Sequence, residues 1–210
     1  IQQYCKFGRN KYYNESTIKC HLISFSAVFD ETSCQRPVVI MAAASQTTDR
    51  YTFFYGEKSA PFSQFRAANF EVDGVQYTCA EMYMMHQKAV LFGDHEIAEQ
   101  ILLGTKPMAI KALGRKVRNF DEEVWKQNRR QIVKKGNLAK FSQNPDIRAE
   151  LMATRGTTLV EASPRDRIWG IGMGKDNPHA KNKNKWRGQN LLGYILTEVR
   201  EELEKEDQDK

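Results

Sequence analysis

The stretch TCAEMYMMHQKAVLFG, residues 78–93, constrains the fold more than any other part of the chain. Read as a helix turning about 100° per residue, it gathers Met82, Met84, Met85, Ala89, Leu91 and Phe92 on one arc that must be buried. Glu81 and Lys88, seven residues apart, lie within about 20° of one another on that same arc, while Tyr83, His86 and Gln87 point away. Glu and Lys are seldom fully buried unless paired. Their separation along the axis, about 10 Å, exceeds the three- or four-residue spacing of a helix-surface ion pair. Two readings stand. Either Thr78 and Glu81 form a capping box and Lys88 snorkels from the stripe, or the two charges flank a ligand on the floor of a site. A lysine held among Met84, Met85, Leu91 and Phe92 is desolvated, and its pKa falls. Its amine then becomes a nucleophile toward a carbonyl-like carbon, with a nearby carboxylate to move protons.

The flanking segments set the fold class. YTFFYG at 51–56 is aromatic and β-prone, and ANFEVDGVQYTC at 68–79 alternates about Asp73-Gly74, a hairpin turn signal. Helices are expected from an N-cap at Thr78 to a stop at Gly93, then at 95–103, after Pro107, from Asp121 to a stop at Gly136, and over NPDIRAELMAT. TLVEAS at 158–163 reads as a strand, followed by a long loop to residue 190. The chain then closes with an amphipathic helix carrying Leu192, Ile195, Leu196, Val199 and Leu203 on one side. The expected class is α+β, a mostly helical single domain with a small antiparallel sheet. Residues 51–205 form the domain, 1–50 an extension or linker in which Met41 is a candidate initiator of a shorter form, and 206–210 a charged tail.

A chain of 210 residues can cover one core well. Its net charge of +6 favours phosphate-bearing partners weakly. The 4 cysteines contain no CxxC pair and the 4 histidines no HExxH spacing, so no metal site or cofactor is expected. The longest apolar run, VVIMAAA, is far short of the roughly 20 residues that span a bilayer. The expectation is no membrane association and a cytoplasmic or nuclear location.

Two further stretches hold candidate chemistry. In SPRDRIWGIGMG, Asp166 and Trp169 sit where a strand opens into a glycine-rich loop, a place where side chains project into clefts. Its glycines match no nucleotide-binding fingerprint, and taken singly Asp166 reads as a turn residue and Trp169 as a core anchor. Trp125 shares a helix face with Asn128, Arg129 and Ile132, as a core residue or as a stacking surface for a base. The loop KDNPHAKNKNKWRGQN carries Lys175, Lys181, Lys183, Lys185 and Arg187, either a phosphate-attracting lip or a solvated surface.

Together FYG, PFSQF, VDGVQYTCAEMYMMHQKAVLFGD, ALGRKV, KFSQNPDIRAELMAT, LVEASPRDRIWGIG and WRGQNLLGYILTEVR resemble the signature of the NADAR family of YbiA-like N-glycosidases, in unbroken order over residues 52–203. The resemblance implies hydrolysis of the bond between a ribose anomeric carbon and an exocyclic amine. The ribosylamine would open to an imine that an enzyme lysine then takes over. By the same resemblance Glu81 is the acid and base, Lys88 the imine-forming lysine and Asp166 the holder of ribose hydroxyls or the leaving amine. Trp125, Trp169 and Gly170, with Phe62 of PFSQF, enclose the substrate, and Gly188 and Asn190 shape its ribose or phosphate side. The implied partner is ADP-ribosylated guanine in nucleic acid, with phosphoribosylamino pyrimidine intermediates of riboflavin synthesis as the alternative substrate. A non-catalytic ADP-ribose or NAD reader is the alternative function. Gln64 stands where the family commonly has Asn, and Met82, Met84 and Met85 where it often has His, Phe or Gln. The floor is thereby more apolar and more adaptable.

Overall fold

A computed structural model of the chain describes residues 50–56 and 61–209. The expectations for residues 1–50 lie outside the described residues, except at Arg50. The described elements run β1 (Tyr51–Phe54), β2 (Phe70–Val72), β3 (Val75–Tyr77), α1 (Ala80–Leu91), α2 (His95–Leu102), α3 (Pro107–Gly114), α4 (Glu122–Ser142), α5 (Pro145–Met152), β4 (Thr158–Glu161), a 3₁₀ turn (Lys183–Lys185) and α6 (Leu191–Gln208). The class is α+β and mostly helical.

β2 and β3 form the antiparallel hairpin, turned by Asp73 and Gly74 with φ of 52° and 79°. Positive φ at both central residues is the turn that matches strand twist, and Asp-Gly tolerates it. β1 pairs in parallel with the distant β4, Phe54 lying opposite Glu161. A parallel pair needs a long crossover, and α1 to α5 supply it. The anticipated face of α6 (Leu192, Ile195, Leu196, Val199 and Leu203) is buried throughout, each side chain contributing roughly 1.5–3 kcal/mol.

α1 is the centre of the core, in contact with α2, α3, α4 and β3, so it has no solvent side comparable with its stripe. Tyr83 and His86, expected to face away, are buried: His86 Nδ1 lies 3.0 Å from the Tyr77 hydroxyl. Tyr83 lies against Gly136, where an added Cβ would meet the ring at 2.2 Å. That corrects the reading of Gly136 as a helix stop. It sits inside α4 because only a residue without a side chain admits the tyrosine. The capping box is corrected as well. Cys79 is the N-cap of α1 and makes no side-chain cap, while Thr78 Oγ1 turns to Met82 Sδ at 3.8 Å. Glu81 remains in the first turn of α1.

Candidate active site

Glu81 is 2% exposed. Its backbone N–H donates to Gln64 O at 2.9 Å, and its carboxylate enters a cavity of about 430 Å³ bounded also by Glu161, Asp166, Trp169, Lys111 and Arg115. That size suits a small ligand or part of a larger one. Glu81 Oε1 lies 4.0 Å from Lys111 Nζ and has no hydrogen-bond partner among the described residues. Burial pushes its pKa up to about 7, against the pull of Lys111 and Arg115.

Glu161, the last residue of β4, was not anticipated as a site residue. Its Oε2 is buried and also lacks a hydrogen-bond partner among the described residues. Burial first, and then Asp166, raise it to about 7. The glutamate was legible only as an outward or inward position in a short strand. It reaches the cavity because β1 places Phe54 beside it, and Phe54 forms another part of the wall. Lys111 and Arg115 were missed for a related reason. They flank the C-terminal end of α3, and only the packing of α3 on α1 turns them toward Glu81.

Asp166 and Trp169 both line the cavity. Asp166 Oδ1 accepts from the N–H groups of Ile168 and Trp169, both at 2.8 Å, which ties the carboxylate to its own loop. Lys88 does not line this cavity. Its Nζ donates to Gly114 O at 2.9 Å and sits 4.1 Å above the Phe120 ring and 5.9 Å from the Trp125 ring. Burial holds its pKa below the usual lysine value, against a pull from Glu122. The expectation of a shared floor for Glu81 and Lys88 is therefore corrected. The long lysine stem carries its charge to the carbonyl end of α3, a favoured place for a cation. Trp125 accompanies it there, buried and away from the cavity.

The remaining candidates support the walls. Phe62 packs behind Phe54, ring centroids 5.5 Å apart. Asn190, with φ of 52°, accepts from Glu161 N at 2.9 Å through Oδ1 and donates to Leu159 O at 3.0 Å. Gly188 and Gly170 allow close chain approach: a Cβ on Gly188 would lie 2.2 Å from Gly170 O, and one on Gly170 2.7 Å from Glu161 O. These three positions therefore fix the backbone of Glu161 and do not touch the cavity.

The wall at 61–65 is held from α4. Lys140, fully buried, donates to Pro61 O at 2.8 Å and Ser63 O at 3.0 Å. Gln64 and Asn137 exchange hydrogen bonds through their amides, at 3.0 and 3.2 Å. The extra methylene of Gln64 is thus accommodated by a reciprocal partner. Among the described residues no group of three or more His, Cys, Asp or Glu could hold a metal ion, and no helix is long and apolar enough to cross a membrane.

The NADAR domain family matches residues 53–204. The chain belongs to the NADAR family. It is similar to N-glycosidase R617 of Acanthamoeba polyphaga mimivirus, 44% identical over 165 residues, which cover 74% of this chain and 97% of the relative. Protein irg-1 of Caenorhabditis elegans is 42% identical over 172 residues, 74% of this chain and 81% of its own length. N-glycosidase YbiA of Escherichia coli strain K12 is 35% identical over 142 residues, 68% of this chain and 80% of its own. The NMR structure of E. coli YbiA superposes with a TM-score of 0.64 at 32% identity, covering 78% of this chain and 90% of the YbiA chain.

Proposed function

We infer that the chain is an N-glycosidase that hydrolyses the bond between a ribose anomeric carbon and an exocyclic amine. The observation that carries this is one cavity in which the buried Glu81 and the half-buried Glu161, both poised near 7, stand beside Lys111 and Asp166. Groups that titrate near neutrality are suited to give and take protons at working pH. The names of R617 and YbiA supply the bond class.

The ribosylamine opens to an imine, a lysine amine displaces the departing amine, and water releases the sugar. Lys111 is the lysine of the cavity wall, its Nζ 4.0 Å from Glu81. Lys88, to which the family resemblance assigns the imine, reaches the sugar only by giving up its bond to Gly114. Asp166 and Trp169, in the same cavity, hold the ribose and the base. The substrate we favour is ADP-ribose on guanine in nucleic acid. Arg115 and Arg165 join Lys111 around the cavity, the net charge is +6, and cations at a cleft attract phosphates.

The test is release of ADP-ribose from an oligonucleotide carrying ADP-ribosylated guanosine, beside a Glu81→Gln control, with borohydride trapping and mass spectrometry. Release that vanishes in the control, with a trapped adduct on Lys111, is the expected result. An adduct on Lys88 restores the assignment by resemblance, and turnover without any adduct removes the imine route. Absence of release, with turnover of phosphoribosylamino pyrimidines, moves the substrate to riboflavin intermediates. Tight ADP-ribose binding with neither turnover makes the chain a reader.

A further inference from the structure

Opening a ribosylamine ring moves a proton from the nitrogen to the ring oxygen, so the step needs an acid and a base at once. We propose that Glu161 and Glu81 are that pair, Glu161 giving its proton to the ring oxygen and Glu81 taking the proton of the exocyclic nitrogen. This rests on the N-glycosidase reading above.

Both groups project from rigid elements into the same cavity, Glu81 from the first turn of α1 and Glu161 from the end of β4. Each has a carboxyl oxygen shielded from solvent and without a hydrogen-bond partner among the described residues. The backbone of Glu161 is fixed on both sides: its N–H donates to Asn190 Oδ1 and its carbonyl accepts from Ile171 N, both at 2.9 Å.

The surroundings assign the roles. Glu81 is faced by Lys111 and Arg115, which favour its carboxylate, and by Asp166, which opposes it. Glu161 is faced by Asp166 and Glu81, which favour its neutral acid, with Lys111 opposing them. Like charges at one site leave one carboxyl protonated. Among the described neighbours the balance of cations lies on Glu81 and the balance of carboxylates on Glu161.

The step balances. The nitrogen releases its proton to Glu81 and its electron pair forms the C1′=N bond. The C1′–O4′ bond breaks, and its electron pair takes the proton of Glu161. The pair ends with Glu81 protonated and Glu161 ionised. After the imine is hydrolysed, closure of the free aldehyde runs the exchange backward. Glu161 takes the O4′ proton as the C1′–O4′ bond re-forms, and Glu81 gives its own to the carbonyl oxygen, restoring the starting state.

The experiment is the pH profile of turnover on the ADP-ribosylated guanosine oligonucleotide for the wild type, Glu161→Gln and Asp166→Asn. The pair predicts a bell for the wild type. Glu161→Gln loses about 100-fold or more in kcat, keeps KM and lacks the alkaline limb. Asp166→Asn, by removing the charge that keeps Glu161 neutral, moves that limb to lower pH. A structural role for Glu161 shifts neither limb. Infrared spectra of the free proteins at mildly acidic pH provide a readout apart from turnover: the C=O band of a neutral carboxylic acid present in the wild type weakens in Glu161→Gln. Wild-type turnover with the kcat and alkaline limb preserved in Glu161→Gln overturns the pair alone. So does an alkaline limb unmoved in Asp166→Asn. No wild-type turnover of this oligonucleotide or of phosphoribosylamino pyrimidines overturns the N-glycosidase reading and the pair with it.

Discussion

Glu81 lies in the first turn of α1 and Asp94 at the N-cap of α2, and each of these carboxylate residues is 2% exposed. Asp94 caps α2 by accepting from Ile97 N at 3.3 Å and holds Arg118 by a forked contact, Nη2 to Oδ1 at 2.6 Å and Nε to Oδ2 at 3.1 Å. The Arg118 guanidinium, first among these partners, keeps it far below the usual carboxylate range. Glu81 has a cation no closer than 4.0 Å, and burial pushes it up to about 7. Lys140 resembles Asp94 in anchoring backbone, since two carbonyls receive its protons, although burial pulls its pKa down to about 7. A buried charge with a full set of partners ties segments together, whereas a buried charge left short of partners and turned into a cavity is placed to meet a substrate.

The largest expected effect separates these classes. Glu81→Gln should cost roughly 1,000-fold in turnover while leaving stability at pH 8 equal or higher, measured by steady-state kinetics and urea unfolding. Loss of both activity and stability would place Glu81 with Asp94. Lys140→Met should do the reverse of Glu81→Gln. It strands the carbonyls of Pro61 and Ser63 and should lower stability by about 3 kcal/mol, which denaturant midpoints will measure.

The pH dependence sharpens the contrast. Glu81 and Glu161 titrate at about 7 when folded against 4.5 unfolded. The folded chain therefore binds more protons in that window, and these groups lower stability as pH rises from about 4.5 to about 7. Glu81→Gln should flatten that fall by an amount on the order of 2 kcal/mol. Asp94 acts with the opposite sign. Its folded pKa is depressed below 3.8, so its contribution is present above the unfolded pKa and is lost as pH falls through the folded one. Asp94→Asn should be destabilised at pH 7 and converge on the wild type in strong acid, as thermal melts across pH will show.

Lys88→Met should reduce kcat about tenfold by loosening the end of α3 that carries Arg115, with the borohydride adduct on Lys111 retained. The smallest effect is expected at the surface. Reversing Lys175, Lys181 and Lys185 to Glu should raise KM for the oligonucleotide several-fold and weaken its salt dependence. The same change should leave hydrolysis of a free nucleotide substrate unchanged.

The helix at 80–91 and the Asp73-Gly74 hairpin were legible because each rests on local geometry, a 3.6-residue period in one case and positive φ in the other. The apolar face of α6 was legible for the same reason. Gly136 misled because sequence alone shows a missing side chain and not the Tyr83 ring that fills its place. Asp166 and Trp169 stood out as unusual residue types at the mouth of a loop. Glu161 and Lys111 did not, since a glutamate in a strand and a lysine on a short helix are common surface residues. Lys88 was placed on the correct side of its helix, but its four-carbon stem carries the ammonium to Gly114, a destination that helical angle does not encode.

The sequence by itself determined the α+β class, the order of the elements and the NADAR signature, and it left Glu81 open between a helix cap and a buried carboxylate. Class, order and signature follow from periodicity, turn chemistry and motif order, all read along the chain. Only the tertiary structure decided which charges share a cavity. The parallel pairing of β1 with β4 joins positions 54 and 161, and the packing of α3 on α1 brings Lys111 to Glu81. The physical reason is that a pKa near 7 arises from exclusion of water and from the charges left nearby, and both depend on segments distant in sequence.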